Sequence, residues 1–579
     1  MAVSRLHQGK STSLVTSSLL VNGEELSDIY QVMNITVTKE LNRIASAQII
    51  LLDGNAARQD FELSNLELLI PGNKIEIWAG YHSDEEIIFR GIIIKHSLKI
   101  RSNQSYLIIE CRDEAVKLTV GRKNNCFYDS TDSEVFEEII EKYGLERDIE
   151  STTTEHRELI QYHVTDWDFM MTRVQANGKI CITDDGLIAI RNPDFEQDVL
   201  GSVSYGDNLL DMDASIDARS QFKKITSYGW DAAEQELMAT TADSLQMNLN
   251  GNLTTDQLAD TIGLDRLELR NGSGNAQTLQ IWANAKALFQ QLAKVRGRIK
   301  VQGHAQIKPD TIILLEGVGD RFSGKIYVSG IRHEITEGNW VSDVQFGLDP
   351  VWFVETYATN DLPAAGLYPV VNGLQIGIVT QLEDDPENEN RVLVSIPMID
   401  KSSKGIWARV STLDAGENRG SFFLPEIGDE VILGFINDNP QDAVILGMLN
   451  SSAKPAPIDA SDENHEKGFV TRSGIKLLFN DDEKSIAIET PGGKKVILDE
   501  DAGMIQLEDE HGNSMILDSN GISFDTSNEI IMKAAGDINI EGMHVNIKAD
   551  GQFKAEGSAG AEMSTSAVAV VKGSIVQIN

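Results

Sequence analysis

From residue 476 to the end of the sequence, apolar side chains recur in pairs two residues apart. A period of two gives each run one apolar and one polar side, as in a half-buried β-strand. Turn-forming residues such as Gly512, Gly521, Gly536 and Gly551 separate the runs. The pattern therefore predicts a succession of short strands that share one apolar face.

The shared apolar face needs a cover. A fragment of two or three such strands is marginal alone, and its open edges invite pairing with other chains. Three copies that place their apolar faces on a common axis, with backbones paired between chains, supply the missing burial and hydrogen bonds. The alternative is a solenoid-like β-domain within one chain. The residues predicted to lie on the trimer axis are Ile505, Leu507, Met515, Leu517, Ile522, Phe524, Ile530, Met532, Ile538, Ile540, Val545, Ile547 and Phe553.

Smaller side chains replace the large apolar ones towards the end of the chain. Ala555, Ala561, Ala567 and Ala569 occupy most of the inward positions there. Small side chains let three walls approach each other. The sequence thus predicts an intertwined trimeric β-prism, or β-helix, needle over residues 476–579 that narrows towards its end.

Residues 1–365 form a predicted hub region with two β-barrel-like units. Runs such as NKIEIWAGY and EEIIFRGIIIKHSLKI alternate or are continuously apolar, which is typical of strands. Apolar residues at helical spacing predict helices over 133–148 and 166–178, inside an α/β insertion at about 125–200. A further helix is predicted over 278–297, followed by more strands.

Residues 366–452 carry five or six strand-like runs in a short stretch, which predicts a small β-barrel. Residues 453–475 are rich in Ser, Pro and charged residues and are interpreted as a linker. The predicted fold class is mainly β, with a double-barrel hub that carries inserted helices, a small barrel and a C-terminal needle.

The charge balance argues against nucleic acid as a partner. The sequence has 50 Lys and Arg against 89 Asp and Glu, a formal net charge of -39, which repels polyanions. Cys111, Cys126 and Cys181 are an odd number without a CxxC pair, so neither a disulfide framework nor a zinc cluster is predicted. The first residues lack a continuous apolar segment, so no signal peptide is expected.

Motifs of enzymatic chemistry are weak throughout, and no catalytic residue, metal ligand or cofactor is predicted. GDRFSGKI at 319–326 follows the first part of a phosphate-binding loop, but Ile326 stands where the Mg²⁺-binding hydroxyl belongs and KIYVSGI reads as a strand. The ten histidines are scattered. The acidic segment EDDPENEN at 383–390 lacks the spacing and the glycine of a calcium loop and is interpreted as a solvated turn.

Several stretches together resemble a known family. FFLPEIGDEVILGFINDNPQDAVILGMLNSS at 422–452 resembles the oligonucleotide/oligosaccharide-binding (OB) type barrel of VgrG-like spikes and phage tail spikes. TDWDFMMTRVQANGKI at 165–180 and GDRFSGKIYVSGIRHEITEGNW at 319–340 resemble the hub of these proteins. With the order hub, barrel and tapering prism, the whole chain resembles VgrG, the spike of type VI secretion and related contractile injection systems.

The resemblance implies a homotrimer whose hubs form a ring on an inner tube and baseplate and whose tails form a needle that pierces a target membrane. In the family a PAAR-type cone protein caps the needle, which here would place tip binding at Ile575, Val576, Ile578 and Asn579. Effectors would bind noncovalently. The chain would be made in the cytoplasm, assembled in a contractile particle and delivered or released outside the cell.

Three further points stay open at the level of sequence. Phage relatives can carry a lysozyme domain between barrel and prism. Here only the linker occupies that place and leaves no room for a glycosidase cleft with two opposed carboxylates, so a spike-borne wall hydrolase is the weaker alternative. A trimeric adhesive fibre that binds surface glycans is another. The sequence does not separate a type VI apparatus, an extracellular phage tail-like particle and a phage.

Overall fold

The computed structural model describes residues 4–6, 12–245, 247–272, 274–399 and 404–578. The chain divides into two compact units, one of residues 1–371 with 437–440 and one of residues 372–436 with 441–579. Both units are built mainly of β-strands, as predicted. Among the described residues, no helix combines the length and the apolar character that a membrane span requires.

The first unit begins with strands in which buried and exposed side chains alternate, as their sequences predict. They are β1 (Val15–Val21), β2 (Glu24–Glu25), β3 (Val32–Glu40), β4 (Ser46–Leu52), β5 (Lys74–Tyr81), β6 (Asp84–Ile100) and β7 (Ser105–Arg112). Their inward side chains form a core that includes Ile49, Ile77 and Phe89.

The predicted α/β insertion follows. Its elements are β8 (Lys123–Thr131), α1 (Asp132–Glu141), β9 (Glu146–Ile149), β10 (Glu155–Val164), α2 (Asp166–Ala176), β11 (Ile180–Asp184) and β12 (Leu187–Arg191). The first helix is shorter than the predicted 133–148. Gly144 adopts φ 66°, a left-handed conformation that ends helices, and the following residues pair with β12 as β9.

The rest of the unit alternates strands with helices. These elements are β13 (Val199–Ser204), β14 (Asp211–Ile216), β15 (Lys224–Asp231), β16 (Glu236–Thr241), α3 (Thr255–Ile262), β17 (Arg266–Arg270), α4 (Ala276–Leu292), β18 (Val295–Gln302), β19 (Ile312–Glu316), β20 (Gly324–Thr336), β21 (Asn339–Phe346) and α5 (Phe353–Thr356). The predicted third helix is α4, which ends at 292 because the chain enters β18. Helix α3 was not predicted.

Both halves of the first unit contribute to one 13-stranded sheet. Its main path is β14-β18-β21-β20-β3-β4-β7-β6-β5-β1-β2, and β19 links β13 to β20. The halves meet where β20 pairs antiparallel with β3, for example at Ile335 and Ile35. A second core, which includes Ile299, Ile331 and Val344, lies on the C-terminal half. The two halves of the first unit therefore share a sheet and keep separate cores, and their assignment as two barrel-like units stays a prediction.

The second unit starts with the predicted small barrel. Its strands are β22 (Gln375–Gln381), β23 (Val392–Ser395), β24 (Ile406–Val410), the short hairpin β25 (Ala415–Gly416) and β26 (Arg419–Gly420), β27 (Glu430–Phe435) and β28 (Ala443–Met448). The closed barrel has the order β22-β23-β24-β28-β27, and β27 returns to β22. Val379, Val394, Val431, Leu433 and Ile445 fill its interior.

A seven-stranded antiparallel sheet, here called the C-terminal sheet, follows the barrel. Its strands are β29 (Glu466–Val470), β30 (Lys476–Asn480), β31 (Ser485–Glu489), β32 (Lys495–Asp499), β33 (Met504–Glu508), β34 (Ser514–Asp518) and β35 (Gly521–Asp525), paired in chain order. The first strand lies inside the predicted linker. Residues 526–578 contain no helix or strand in this single chain.

Candidate functional site

The strand register of the C-terminal sheet aligns its apolar side chains. Leu477 lies opposite Ile488, and each following strand continues the same two columns. The aligned residues, here called the apolar face, are Leu477, Phe479, Ile486, Ile488, Val496, Leu498, Ile505, Leu507, Met515, Leu517, Ile522 and Phe524. The first six predicted axis residues are thus brought together on one side of one sheet.

No segment that the structure describes covers the apolar face. No apolar side chain beyond Ile445 is buried among the described residues. Several members of the face, including Phe479, Ile505 and Phe524, are 38% to 62% exposed. Cross-strand neighbours reduce the exposure of such side chains, but full burial needs a second layer. Soluble monomers rarely expose a continuous apolar face of this kind.

The opposite side of the sheet is mixed. Its outer columns carry charged residues such as Lys476, Glu489, Lys495 and Glu508, and Lys476 Nζ lies 3.8 Å from Glu489 Oε2 across the strands. The outer columns of this side are therefore suited to water, while its central column carries Leu478, Ala487, Ile497 and Ile516 beside Gln506.

The turns of the sheet repeat with a period that sequence analysis missed. Strands β30, β32 and β34 begin at residues 476, 495 and 514, so the unit is 19 residues long. Gly474, Gly493 and Gly512 occupy the same turn position, with φ 84°, 92° and 80°. In each turn a backbone N–H of this glycine donates to the carbonyl oxygen three residues earlier, at 2.8 to 3.2 Å. The spacing of these glycines is the signal that reveals the repeat.

The remaining predicted needle residues do not lie in the C-terminal sheet. Ile530, Met532, Ile538, Ile540, Val545, Ile547 and Phe553 lie outside any strand and are exposed. The predicted tip residues Ile575, Val576 and Ile578 are also exposed, and Asn579 lies outside the described residues. A single chain therefore does not bring these side chains together, and their predicted roles remain proposals.

Two segments with partial motifs of chemical sites have ordinary structural roles. Lys325 of the loop-like motif lies in β20, paired with β19, where a phosphate-binding loop requires a helix. Asp385 of the acidic segment accepts hydrogen bonds from the backbone N–H groups of Glu387, Glu389 and Arg391 and from the Arg391 side chain. These bonds hold the pKa of Asp385 well below its usual range. The segment is thus a turn closed by its own side chains.

Cys111 and Cys181 are buried, whereas Cys126 is exposed. Burial raises the pKa of Cys111 to about 12, so its thiol stays protonated at neutral pH. Across the described ranges, no group of three His, Cys, Asp or Glu side chains is placed to hold a metal ion.

Comparison with known proteins assigns the chain to a family. Residues 11–337 match the family described as the Alg8 N-terminal domain, which is more than half of the chain. The chain belongs to this family. Within the second unit, residues 375–449 of this Alg8-family chain match the type VI secretion system/phage-baseplate injector OB domain. This match begins with β22 and ends just after β28, so it coincides with the closed barrel.

Curated relatives of the Alg8-family chain are type VI secretion system spike proteins. It is 29% identical to VgrG1b of Pseudomonas aeruginosa strain PAO1 over 134 residues, which are 21% of this chain and 18% of that one. It is 30% identical to VgrG1a of the same strain over 123 residues, 20% and 19% of the two chains. The chain thus spans about a fifth of the length of these relatives. The predicted resemblance to VgrG-like spike proteins is confirmed.

Two solved structures show broad likeness to this VgrG-like chain. A tail protein from Neisseria meningitidis MC58 aligns with a TM-score of 0.44 and 14% identity, covering 59% of this chain and 99% of that chain. The E. coli c3393 protein, described as a component of the type VI secretion system, aligns with a TM-score of 0.38 and 12% identity, covering 74% and 99%.

Proposed function

We propose that three copies of this chain form the central spike of a contractile injection system. Residues 1–365 would form the hub on an inner tube and baseplate, residues 366–452 the barrel collar, residues 453–475 the linker and residues 476–579 the needle. The role is mechanical, and no chemical step is part of it. The observation that carries the proposal is the apolar face, which is aligned across six consecutive strands and left uncovered by its own chain.

Three-fold association explains this surface better than a second sheet from the same chain. All twelve members of the apolar face are aliphatic, Met or Phe, so none leaves a polar group unpaired when the face becomes dry. Each fully buried side chain of this size contributes about 1.5 to 3 kcal/mol. Residues 526–578 carry the same apolar spacing but pair with no strand in the described part of the chain, which fits pairing between copies.

The needle would owe its stiffness to this shared core. Bending or splaying three intertwined chains breaks contacts in all three walls together, so the resistance is cooperative. The exposed Ile575, Val576 and Ile578 would provide the blunt apolar end on which a PAAR-type tip protein binds, with effectors as further cargo. In this proposal the assembled particle acts outside the cell, where the needle contacts the target membrane only transiently.

The mass of the full chain in solution tests the trimer. We expect light scattering to give three times the 63.7 kDa chain mass, and the mass to persist on dilution. In the variant Ile505→Lys, three cations would meet on a dry axis, and we expect loss of the trimer. The matched control is Gln506→Lys in the same strand, which changes the opposite side of the sheet and should leave the mass unchanged.

Two outcomes would contradict the proposal. One is a folded monomer of the wild-type chain at all concentrations. The other is an equal effect of the two lysine variants, since only one of them lies on the apolar face. Tip binding is tested separately by co-purification with a PAAR-type protein, which removal of residues 575–579 should abolish without changing the trimer mass.

A further inference from the structure

A cleft of about 360 Å³ lies in the first unit, and the proposed hub role gives its lining residues no function of their own. One wall is formed by Thr154, His156 and Arg173 of the α/β insertion. The other is formed by Arg270 at the end of β17 and by Trp282 in the first half of α4. The size is that of a pocket for a small group or a single side chain.

A buried carboxylate organises the insertion wall. Asp132 is 1% exposed, and its two oxygens accept from Arg173 Nε at 2.7 Å and Arg173 Nη2 at 2.9 Å. Asn177 Nδ2 donates to Asp132 Oδ2 at 2.9 Å, and His156 Nε2 lies 3.0 Å from the same oxygen. Burial raises the pKa of Asp132, but the hydrogen bonds from His156 and Arg173 outweigh it and hold the pKa well below its usual range.

These contacts engage both oxygens of Asp132 and fix the side chains around it. Among the described residues, no group of three His, Cys, Asp or Glu side chains in or near the cleft is placed to hold a metal ion. Arg173 is held by two parallel bonds, which orient the plane of its guanidinium group. Its Nη1 makes no hydrogen bond with any residue that the structure describes. The wall thus presents a fixed, positively charged donor.

An unpaired hydroxyl gives an independent indication of a ligand. Thr154 lines the cleft and is 4% exposed, and its Oγ1 has no hydrogen-bond partner among the described residues. A buried hydroxyl without a partner is costly and uncommon in native structures. A ligand with an acceptor oxygen would satisfy it.

The opposite wall favours negative charge as well. Asn275 caps the 17-residue helix α4, and Thr278 and Trp282 in its first two turns line the cleft. The N-terminal end of a helix carries partial positive charge. Arg270 adds a guanidinium group, which is paired with Glu268 at 2.7 Å on the exposed side. Leu279 and Trp282 give the same wall an apolar part.

We propose that this cleft binds a carboxylate group. The oxygens would accept from Arg173 Nη1, Thr154 Oγ1 and Arg270, and the carbon chain that bears the group would contact Leu279 and Trp282. The apolar part of the wall favours a carbon-bound carboxylate over inorganic phosphate. The carboxylate has two possible sources, a free small acid and an acidic side chain of a partner protein.

The test uses the full chain and two probes with matched neutral analogues. Acetate represents a free acid, with acetamide as its control, and a blocked tripeptide with a central glutamate represents a protein side chain, with the glutamine peptide as its control. Ligand-observed NMR measures binding of each. We expect acetate, the glutamate peptide or both to bind and the amides not to bind. Tighter binding of the peptide assigns the site to a protein partner, and tighter binding of acetate assigns it to a free acid.

Two variants separate a ligand site from a purely structural role. Thr154→Val keeps the shape and removes the unpaired hydroxyl, so we expect about fivefold weaker binding together with a higher melting temperature of the free protein. Arg270→Gln should weaken binding about tenfold. The control Arg219→Gln removes an exposed arginine that is paired with Asp217 and does not line the cleft. Equal binding of acetate and acetamide, or unchanged affinity in Thr154→Val, would overturn the proposal.

Discussion

The closed barrel and the C-terminal sheet use the same local pattern and end in different states. In β27 of the barrel, Val431 and Leu433 point into a core and are fully buried. In β33 of the C-terminal sheet, Ile505 and Leu507 have the same spacing and are 43% and 42% exposed. Alternation decides which side chains share a face, but it does not decide what covers that face.

The difference lies in the pairing beyond neighbouring strands. In the barrel, β24 pairs parallel with β28, and β27 pairs with β22, so the strands close around their own side chains. In the C-terminal sheet every strand pairs only with its neighbours in sequence, through turns of two to five residues. Such a meander has two open edges and one uncovered face. A chain can therefore complete a barrel alone, whereas this sheet leaves a face that, in our proposal, other copies of the chain cover.

The largest effect is expected from matched Leu→Ala variants in the closed barrel and in the C-terminal sheet. Leu433→Ala in the barrel should cost about 2 to 5 kcal/mol of unfolding free energy, because it leaves a cavity in a closed core. Leu507→Ala should cost a similar amount per chain only if three copies bury the side chain. In that case its unfolding midpoint depends on protein concentration, since association and folding are linked.

Denaturant unfolding at several protein concentrations measures both variants. The wild-type chain is the reference. Leu433→Ala is the control, because its cost in unfolding free energy should not depend on association of the chains. A small cost for Leu507→Ala, without any concentration dependence, would mean that the apolar face stays open in solution.

A pH titration sharpens the comparison between the first unit and the C-terminal sheet. His333 is buried in the first unit, where its Nδ1 lies 2.8 Å from Ser342 Oγ. Burial, with smaller contributions from Lys39 and His304, lowers the pKa of His333 from 6.5 to about 3. The twelve residues of the apolar face include no titratable group.

The sign of the effect follows from linkage. Between pH 6.5 and about 3, the imidazole of His333 binds a proton in the unfolded chain but not in the folded chain. The free energy of unfolding is therefore undiminished by this group above pH 6.5 and decreases as the pH falls towards 3. We expect this protonation to lower the free energy of unfolding of the first unit by a few kcal/mol, because each unit of pKa shift corresponds to about 1.4 kcal/mol. Hydrogen exchange against pH measures each unit separately. His333→Gln should flatten the dependence, and the exposed His511→Gln should not; equal slopes in wild type and His333→Gln would contradict the assignment.

The strands and faces of the second unit were largely predictable from sequence, and the long-range pairings were not. The spacing of Leu477 with Phe479, and of the pairs that follow, predicted the strands, and the register confirms that they share a face. The barrel interior follows from the same period in Val431 and Leu433. By contrast, Ile35 and Ile335 pair across 300 residues, and no local pattern indicates which strands meet.

The helices and the cleft show where local signals were available and where they were not. The capping boxes Thr131 with Glu134 and Thr254 with Gln257 mark the starts of α1 and α3 and can be read as S/T-x-x-E/Q. The cleft is different, because Asp132 and Arg173 belong to two separate helices. Single Asp and Arg residues carry no sequence signal until the fold brings them together.

The smallest predicted effect concerns the turns that keep the C-terminal sheet a meander. Gly493 and Gly512 adopt φ 92° and 80°, which side-chain-bearing residues rarely do. A Cβ at Gly493 would lie 4.0 Å from Glu510 Cβ and one at Gly512 would contact nothing within 4 Å, so an alanine meets backbone strain without a clash. Each Gly→Ala change should therefore cost about 1 kcal/mol.

Thermal unfolding of the two variants measures this cost, with Gly536→Ala as the control. Gly536 lies after the last strand, without a positive φ and with nothing within 4 Å of the added Cβ, so its replacement should be close to neutral. Since Gly493 and Gly512 occupy equivalent positions of the 19-residue unit, their costs should be nearly equal. Unequal costs would mean that the turns are not equivalent in the assembled protein. In that case the 19-residue repeat would be a feature of the sequence alone, and successive repeat units would pack differently along the needle.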